Sequence, residues 1–143
     1  MLVVNRFVVG DPGPDGSDGP GRDGGGPYDA AVAAFTARAH AALAALATRP
    51  GYLAGRLARA LDEPSHWCLV TEWENVGTYR RALGAYDVKL AGAPLLAEAL
   101  PEPSAYEVLA SADRTGAVTV AASDRASDRG SDDAGPGALR SRA

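Results

Sequence analysis

The sequence predicts an α+β domain of ferredoxin-like topology, in which an antiparallel sheet carries helices on one face. Stretches of strand length, rich in apolar or β-branched residues, occur at residues 2–9, 52–61, 66–73 and 105–109. Amphipathic stretches of helical period separate the first strand from the second and the third from the fourth. The resulting order, βαββαβ, is the split βαβ arrangement.

The size and charge of the chain exclude several classes of protein. A chain of 143 residues has room for one small domain. The net charge of -4 and the pI near 5.1 disfavour nucleic-acid binding, which needs a clustered basic surface. Neither a signal peptide nor an apolar run of membrane-spanning length is recognised, so we expect a cytoplasmic protein that binds no membrane. The single cysteine, Cys68, cannot form an internal disulfide and has no CxxC partner.

The first strand has few polar residues. Alternation places Asn5 and Phe7 on one face and Arg6 on the other. Residues 10–27 then combine many glycines and prolines with few apolar residues, which predicts a flexible loop. Its glycine spacing matches no phosphate-binding loop.

The first helix is predicted to run from an N-cap at Asp29 to about Thr48. Its apolar residues recur at steps of three and four, namely Val32, Phe35, Ala39, Leu43 and Leu46. Pro50 ends the helix and Gly51 lets the chain turn. Strands two and three follow, and the turn at residues 62–65 makes them a hairpin.

The second helix is predicted from the capping residue Asn75 to about Gly84. A short helical return over residues 86–100 and a proline break at 101–104 precede the fourth strand. The domain is therefore expected to span residues 1–110. Residues 111–143 are rich in Ser, Asp, Arg and Gly and are predicted to be a disordered tail, with a short edge strand at 115–122 as the alternative.

The segment WCLVTEWENVGTYRRALGAY, residues 67–86, carries the most specific pattern of the chain. Together with LVVNRFVV and the helix end at Arg49-Pro50-Gly51, it resembles the antibiotic biosynthesis monooxygenase (ABM) domains. The resemblance implies a homodimeric α/β barrel in which the helices cover one face of each sheet and the other face meets the partner subunit. It also implies a small-molecule pocket between sheet and helices.

Trp73 and Tyr79 are the first candidates for catalysis. In WENVGTY they match the Trp-Glu-Ser-x-x-x-Tyr pattern of relatives that oxidise polycyclic phenols to quinones with molecular oxygen and neither metal nor flavin. The resemblance thus implies a cofactor-independent monooxygenase of a small aromatic or polyketide-like phenol, with oxygen as co-substrate. Trp73 would offer its indole N–H, and Tyr79 its hydroxyl, to the phenolate. Leu69 departs from the pattern, because those relatives carry asparagine there.

Asn5 matches another branch, the haem-degrading relatives, whose first strand carries an asparagine that reaches toward the ligand. Ala82 and Ala91 stand where that branch has a tryptophan and the axial histidine, so haem is not expected. Asn5 remains a polar candidate for the pocket. The alternative is a hydrogen bond from its side chain to neighbouring backbone.

His40 is the candidate base, because it lies near the edge of the apolar stripe of the first helix. Neither His40 nor His66 has a second histidine at ligand spacing, so no metal site is expected. The pocket itself is expected to be lined by Phe7, Phe35, Leu69 and Tyr86.

Two other functions fit the same residues. Trp73 and Tyr79 can be core aromatics, in which case the protein is a non-catalytic ligand-binding or assembly subunit. An isomerase or cyclase acting on a polyketide would use the same pocket with acid/base chemistry alone.

Overall fold

A computed structural model of the chain describes residues 1–10 and 26–123. The first compact unit, Met1–Tyr106, contains four strands and four helices within these ranges. In chain order they are β1 (Leu2–Val8), α1 (Pro27–Ala47), β2 (Tyr52–Arg59), β3 (His66–Trp73), α2 (Val76–Leu83), α3 (Tyr86–Ala91), α4 (Ala93–Leu96) and β4 (Ala105–Tyr106). The second unit contributes β5 (Ala110–Ala112) and β6 (Val118–Val120).

The four-stranded sheet confirms the predicted fold class. Its strand order is β2-β3-β1-β4, and every pairing is antiparallel. In the central pairing Asn5 stands opposite Leu69, and Phe7 opposite Trp67. The helices pack on the face that carries Phe7 and Leu69, which we call the inner face. The other face of the sheet is called the outer face.

Strand β4 is shorter than the predicted strand at 105–109, because only Ala105 and Tyr106 pair with β1. Beside it the backbone N–H of Val4 donates to the carbonyl of Ser104 over 2.6 Å. The backbone N–H of Leu100 donates to the carbonyl of Arg6 over 2.8 Å. Two prolines between these bonds lack the N–H that a ladder needs. This edge of β1 is therefore covered largely by irregular chain.

Helix α1 buries Phe35, Ala39, Ala42 and Leu46, which confirms its predicted apolar stripe. The predicted cap at Asp29 is wrong, since Gly26 is the N-cap and Asp29 lies in the first turn. Pro27 opens the helix because its missing N–H would have no intrahelical acceptor there. By length and composition α1 could cross a membrane, contrary to the sequence prediction; in the structure its Phe35, Ala39 and Ala42 pack in a core cluster with residues of β1 and β3.

Helix α2 begins as predicted. The Oδ1 atom of Asn75 accepts from the N–H of Thr78 over 2.9 Å, and Thr78 Oγ1 donates to the Asn75 carbonyl over 2.8 Å. Thr78 and Ala82 are the buried residues of this helix, whereas Val76 is 43% exposed. The helical return consists of α3 and α4, which meet at the buried Gly92.

The second unit differs from the predicted tail, because β5 and β6 pair as an antiparallel hairpin. Asp113 closes its turn by accepting from the backbone N–H of Thr115 over 2.8 Å, and Gly116 adopts a φ of 82°. The β-branched Val118-Thr119-Val120 supplies the second strand. Most of the predicted loop at 10–27, and the tail beyond residue 123, lie outside the described residues.

Candidate functional site

Buried side chains on the inner face form two separate clusters. One, the Phe35 cluster, contains Phe7, Val9, Phe35, Ala39, Ala42, Leu69 and Leu95. The other, the Trp73 cluster, contains Val3, Leu46, Trp73, Ala82 and Val88. Strand β1 contributes to both, because Val3 belongs to one and Phe7 to the other.

Asn5 lies between the two clusters. On the same face of β1, Val3 is 0% and Phe7 is 2% exposed, whereas Asn5 is only partly buried. Solvent therefore reaches the middle of the inner face at the one polar position of this row. Within the described ranges the Asn5 amide makes no hydrogen bond, so its N–H and C=O groups remain available to a ligand.

Trp73 is fully buried, with 0% exposure. Its indole N–H donates to Thr71 Oγ1 over 2.9 Å, and Thr71 is itself buried. The indole ring meets Tyr52 edge-on at 5.4 Å and Tyr79 at 5.5 Å between ring centroids. The indole N–H that was expected to bind a phenolate is thus bonded to Thr71 instead. This agrees with the alternative that Trp73 is a core aromatic residue.

Tyr79 is the polar member of this aromatic group that remains available. Desolvation by its surroundings raises the pKa of the Tyr79 phenol above the usual 10.0. Its hydroxyl makes no hydrogen bond to the part of the chain that the structure describes. A neutral, half-buried hydroxyl of this kind can donate a hydrogen bond to an anion.

Asn5 and Trp73 are not neighbours. Asn5 pairs with Leu69, which precedes Trp73 by four residues along β3. At about 3.4 Å per residue the two positions are separated by roughly 14 Å along the strand direction. Only an extended ligand could reach from Asn5 to the Trp73–Tyr79 pair.

Three of the four predicted pocket residues are brought together. The Phe7 and Phe35 rings lie 5.2 Å apart, and Leu69 packs in the same cluster with 1% exposure. A pocket of about 310 Å³ opens beside them between β1 and α1, with Phe7 and Phe35 in its lining. We call it the β1–α1 pocket.

An ion pair that the sequence did not predict borders the β1–α1 pocket. The Arg38 guanidinium donates to both Glu98 carboxylate oxygens, over 2.8 and 3.1 Å. Arg38 follows Phe35 by three residues, so helical spacing was the one available signal for it. Glu98 lies beyond α4, and no local pattern placed it here.

His40 and Tyr86 are not where the sequence predicted them. His40 is exposed, because it directly follows the buried Ala39 and the next helical position turns toward solvent. Tyr86 is 80% exposed at the start of α3, where Val88 takes the buried position. The structure therefore does not support His40 as a base inside the domain or Tyr86 as a pocket residue.

The outer face carries a second, largely apolar concavity of about 360 Å³ near the β2–β3 turn. Arg6, His66 and Cys68 belong to its lining, and Cys68 is partly exposed. Val8 and Tyr106 are 47% and 40% exposed. Among residues 1–10 and 26–123, no group of three or more His, Cys, Asp or Glu side chains is placed to hold a metal ion.

Comparison with protein families gives a match to the central part of the chain. Residues 27–91 match the family model of the antibiotic biosynthesis monooxygenases. Comparison with curated proteins gives no significant match.

Solved structures share the fold over most of the first unit. SnoaB, a cofactor-independent oxygenase from Streptomyces nogalater, is 23% identical with a TM-score of 0.50, covering 76% of this chain and 94% of SnoaB. A Nitrosomonas europaea protein assigned to the antibiotic biosynthesis monooxygenases is 14% identical at TM-score 0.50, with 76% and 99% covered. A conserved protein from Methanosarcina mazei is 16% identical, also at 0.50, with 73% and 84% covered.

Proposed function

We propose that the protein oxygenates a small aromatic phenol with molecular oxygen and without a bound cofactor, because residues 27–91 match the family model of the antibiotic biosynthesis monooxygenases. The observation that carries this proposal is the partly exposed Asn5 between two fully buried neighbours on the inner face. A polar group at the floor of an apolar layer is the usual make-up of a small-molecule site. SnoaB, of the same fold, is a cofactor-independent oxygenase.

The reaction we propose consumes one molecule of oxygen. In an anthrone-type substrate the reacting ring carbon carries two hydrogens and becomes activated when the phenol loses its proton. One oxygen atom becomes the new carbonyl, and the other leaves as water with those two hydrogens. The substrate supplies all the electrons, so neither metal nor flavin is needed.

Each side chain has a separate task in this scheme. The Asn5 amide donates to the phenolate oxygen and stabilises the charge. The Phe7 and Phe35 rings form the apolar wall beside it. Tyr79 offers its hydroxyl to the far end of an extended substrate. Because His40 is exposed, the phenol proton passes to water.

The outer face supports a homodimer as part of the proposal. Val8 and Tyr106 expose apolar surface there, and strands β1 and β3 present further partly buried apolar side chains. A second copy of the chain would cover this surface. Sedimentation equilibrium over a hundredfold concentration range tests it, and a monomer throughout would reject it.

Oxygen uptake with an anthrone as substrate tests the activity. We expect uptake by the wild type, with about 10²-fold lower kcat for Asn5→Ala, the loss typical of one oxyanion donor. Lys89→Ala is the control, because Lys89 is exposed on α3 and lines none of the described pockets. Equal losses in both variants would show that the loss is not specific to Asn5.

A second function, ligand binding without catalysis, is favoured by the internal hydrogen bond of Trp73 and by the exposure of His40. In that case calorimetry would detect binding of the same phenol, and Asn5→Ala would weaken it, while no oxygen is consumed. Oxygen uptake above the rate without protein would reject this alternative.

A further inference from the structure

A small pocket lies where the end of α1 meets α2. Its volume is about 160 Å³, and it is lined by Arg49, Pro50, Thr78, Arg81 and Ala82. At roughly 30 Å³ per water molecule it has room for about five waters. It therefore fits a compact anion rather than a polycyclic phenol. We call it the Arg49–Arg81 pocket.

The Arg49 guanidinium makes one long ion pair, with Asp87, and no side-chain hydrogen bond among the described residues. Its Nε atom is buried and lacks an acceptor there. Its Nη1 atom lies 3.7 Å from Asp87 Oδ1, which is longer than a hydrogen bond. The Arg49 side chain is 32% exposed, so part of the guanidinium remains open to a ligand. An arginine this far from an acceptor is suited to binding an external one.

Arg81 supplies a second cation to the same pocket. Its Nη1 atom lies 3.4 Å from the point where a Cβ on Gly77 would stand, so the side chain runs back beside the first turn of α2. Arg81 is exposed and has no carboxylate within ion-pair distance among residues 1–10 and 26–123. The Arg81 guanidinium thus lies beside the N-terminal end of α2, which carries the positive end of the helix dipole.

We propose that the Arg49–Arg81 pocket binds a phosphate-type oxyanion. The pocket lining contains two arginines and no carboxylate. Among the described residues Asp87, 3.7 Å from Arg49 Nη1, is the one carboxylate within ion-pair distance of either arginine, so the pocket has excess positive charge. Planar arginine forks match the oxygen spacing of phosphate and make paired hydrogen bonds to it. Asn5 does not line this pocket, and the proposal does not depend on the proposed oxygenation.

Titration with inorganic phosphate tests the site, followed by the side-chain Nε–H resonances of arginine in an NMR spectrum. We expect saturable shifts at Arg49 and Arg81, with binding about tenfold weaker in Arg81→Gln and in Arg49→Lys, which keeps the charge but loses the fork. Arg80→Gln is the matched control, since Arg80 is exposed on the same helix and does not line the pocket.

Absence of saturable shifts, or equal weakening in Arg80→Gln, would overturn the proposal. Arg81 is exposed, so its variant should fold, and an unchanged thermal midpoint would confirm this. Phenyl phosphate in a parallel titration distinguishes the source of the anion. Tighter binding than inorganic phosphate would assign a phosphomonoester, and equal or weaker binding would assign the free ion.

Discussion

Thr71→Val probes the hydrogen bond that holds the Trp73 side chain. Valine has nearly the shape of threonine but cannot accept the indole N–H, which donates to Thr71 Oγ1 over 2.9 Å. Thr71 is 3% and Trp73 0% exposed, so water cannot replace the lost acceptor. An unsatisfied buried donor costs about 1–3 kcal/mol, and we expect the free energy of unfolding to fall by that amount.

Urea unfolding of a double-mutant cycle with Trp73→Phe measures the effect. In the Trp73→Phe background no indole N–H remains, so Thr71→Val should cost at least about 1 kcal/mol less than in the wild type. Thr71→Ser is the control, because it keeps the hydroxyl and loses one methyl group, worth about 0.8 kcal/mol. If Thr71→Val costs the same in both backgrounds, the Trp73 N–H does not depend on Thr71.

Three further predictions follow from single positions. Gly51→Ala should lower the free energy of unfolding by more than about 2 kcal/mol, because φ at Gly51 is 84° and the new Cβ would collide with the Thr78 side chain. A loss below about 1 kcal/mol, measured by urea unfolding, would contradict this. Burial raises the pKa of Tyr79, so the stability from its neutral phenol is complete below pH about 10 and is lost as pH rises through the raised value. Alkaline unfolding should therefore be steeper in the wild type than in Tyr79→Phe, and equal slopes would refute the burial effect. His40→Gln should change stability by less than about 0.5 kcal/mol and leave oxygen uptake unchanged, whereas a tenfold loss of uptake would restore His40 as the base.

Periodicity and capping carried most of the fold prediction. Strand β3 has the predicted bounds, and the Asn75 cap forms the expected hydrogen bond, because both depend on residues close in sequence. The start of α1 was misplaced because Asp29 and Pro27 offer competing local signals, and the proline prevailed. Beyond residue 110 the alternative strand at 115–122 is found as β6, whereas its partner β5 was missed because Ala110-Ser111-Ala112 contains no β-branched residue.

The site was harder to predict, because it depends on contacts between distant segments. Alternation placed Asn5 on the inner face correctly, but its partial exposure follows from how two clusters divide that face. The hydrogen bond from the Trp73 indole to Thr71 is the exception, since the two residues are two positions apart on β3 and alternation places them on one face. Glu98 reaches Arg38 across 60 residues of chain, and no pattern in the sequence indicates that pair.

Asn5 lies between two separate clusters of buried side chains. Substitutions in one cluster should therefore change stability independently of substitutions in the other. Phe35 and Leu46 both project from α1, but each packs in a different cluster. Their eleven-residue spacing is roughly 16 Å along the helix axis. Truncations at that range, without shared neighbours, add to within about 0.5 kcal/mol. Natural or engineered variation can therefore reshape the aromatic end that borders the β1–α1 pocket while leaving the packing around Leu46 intact.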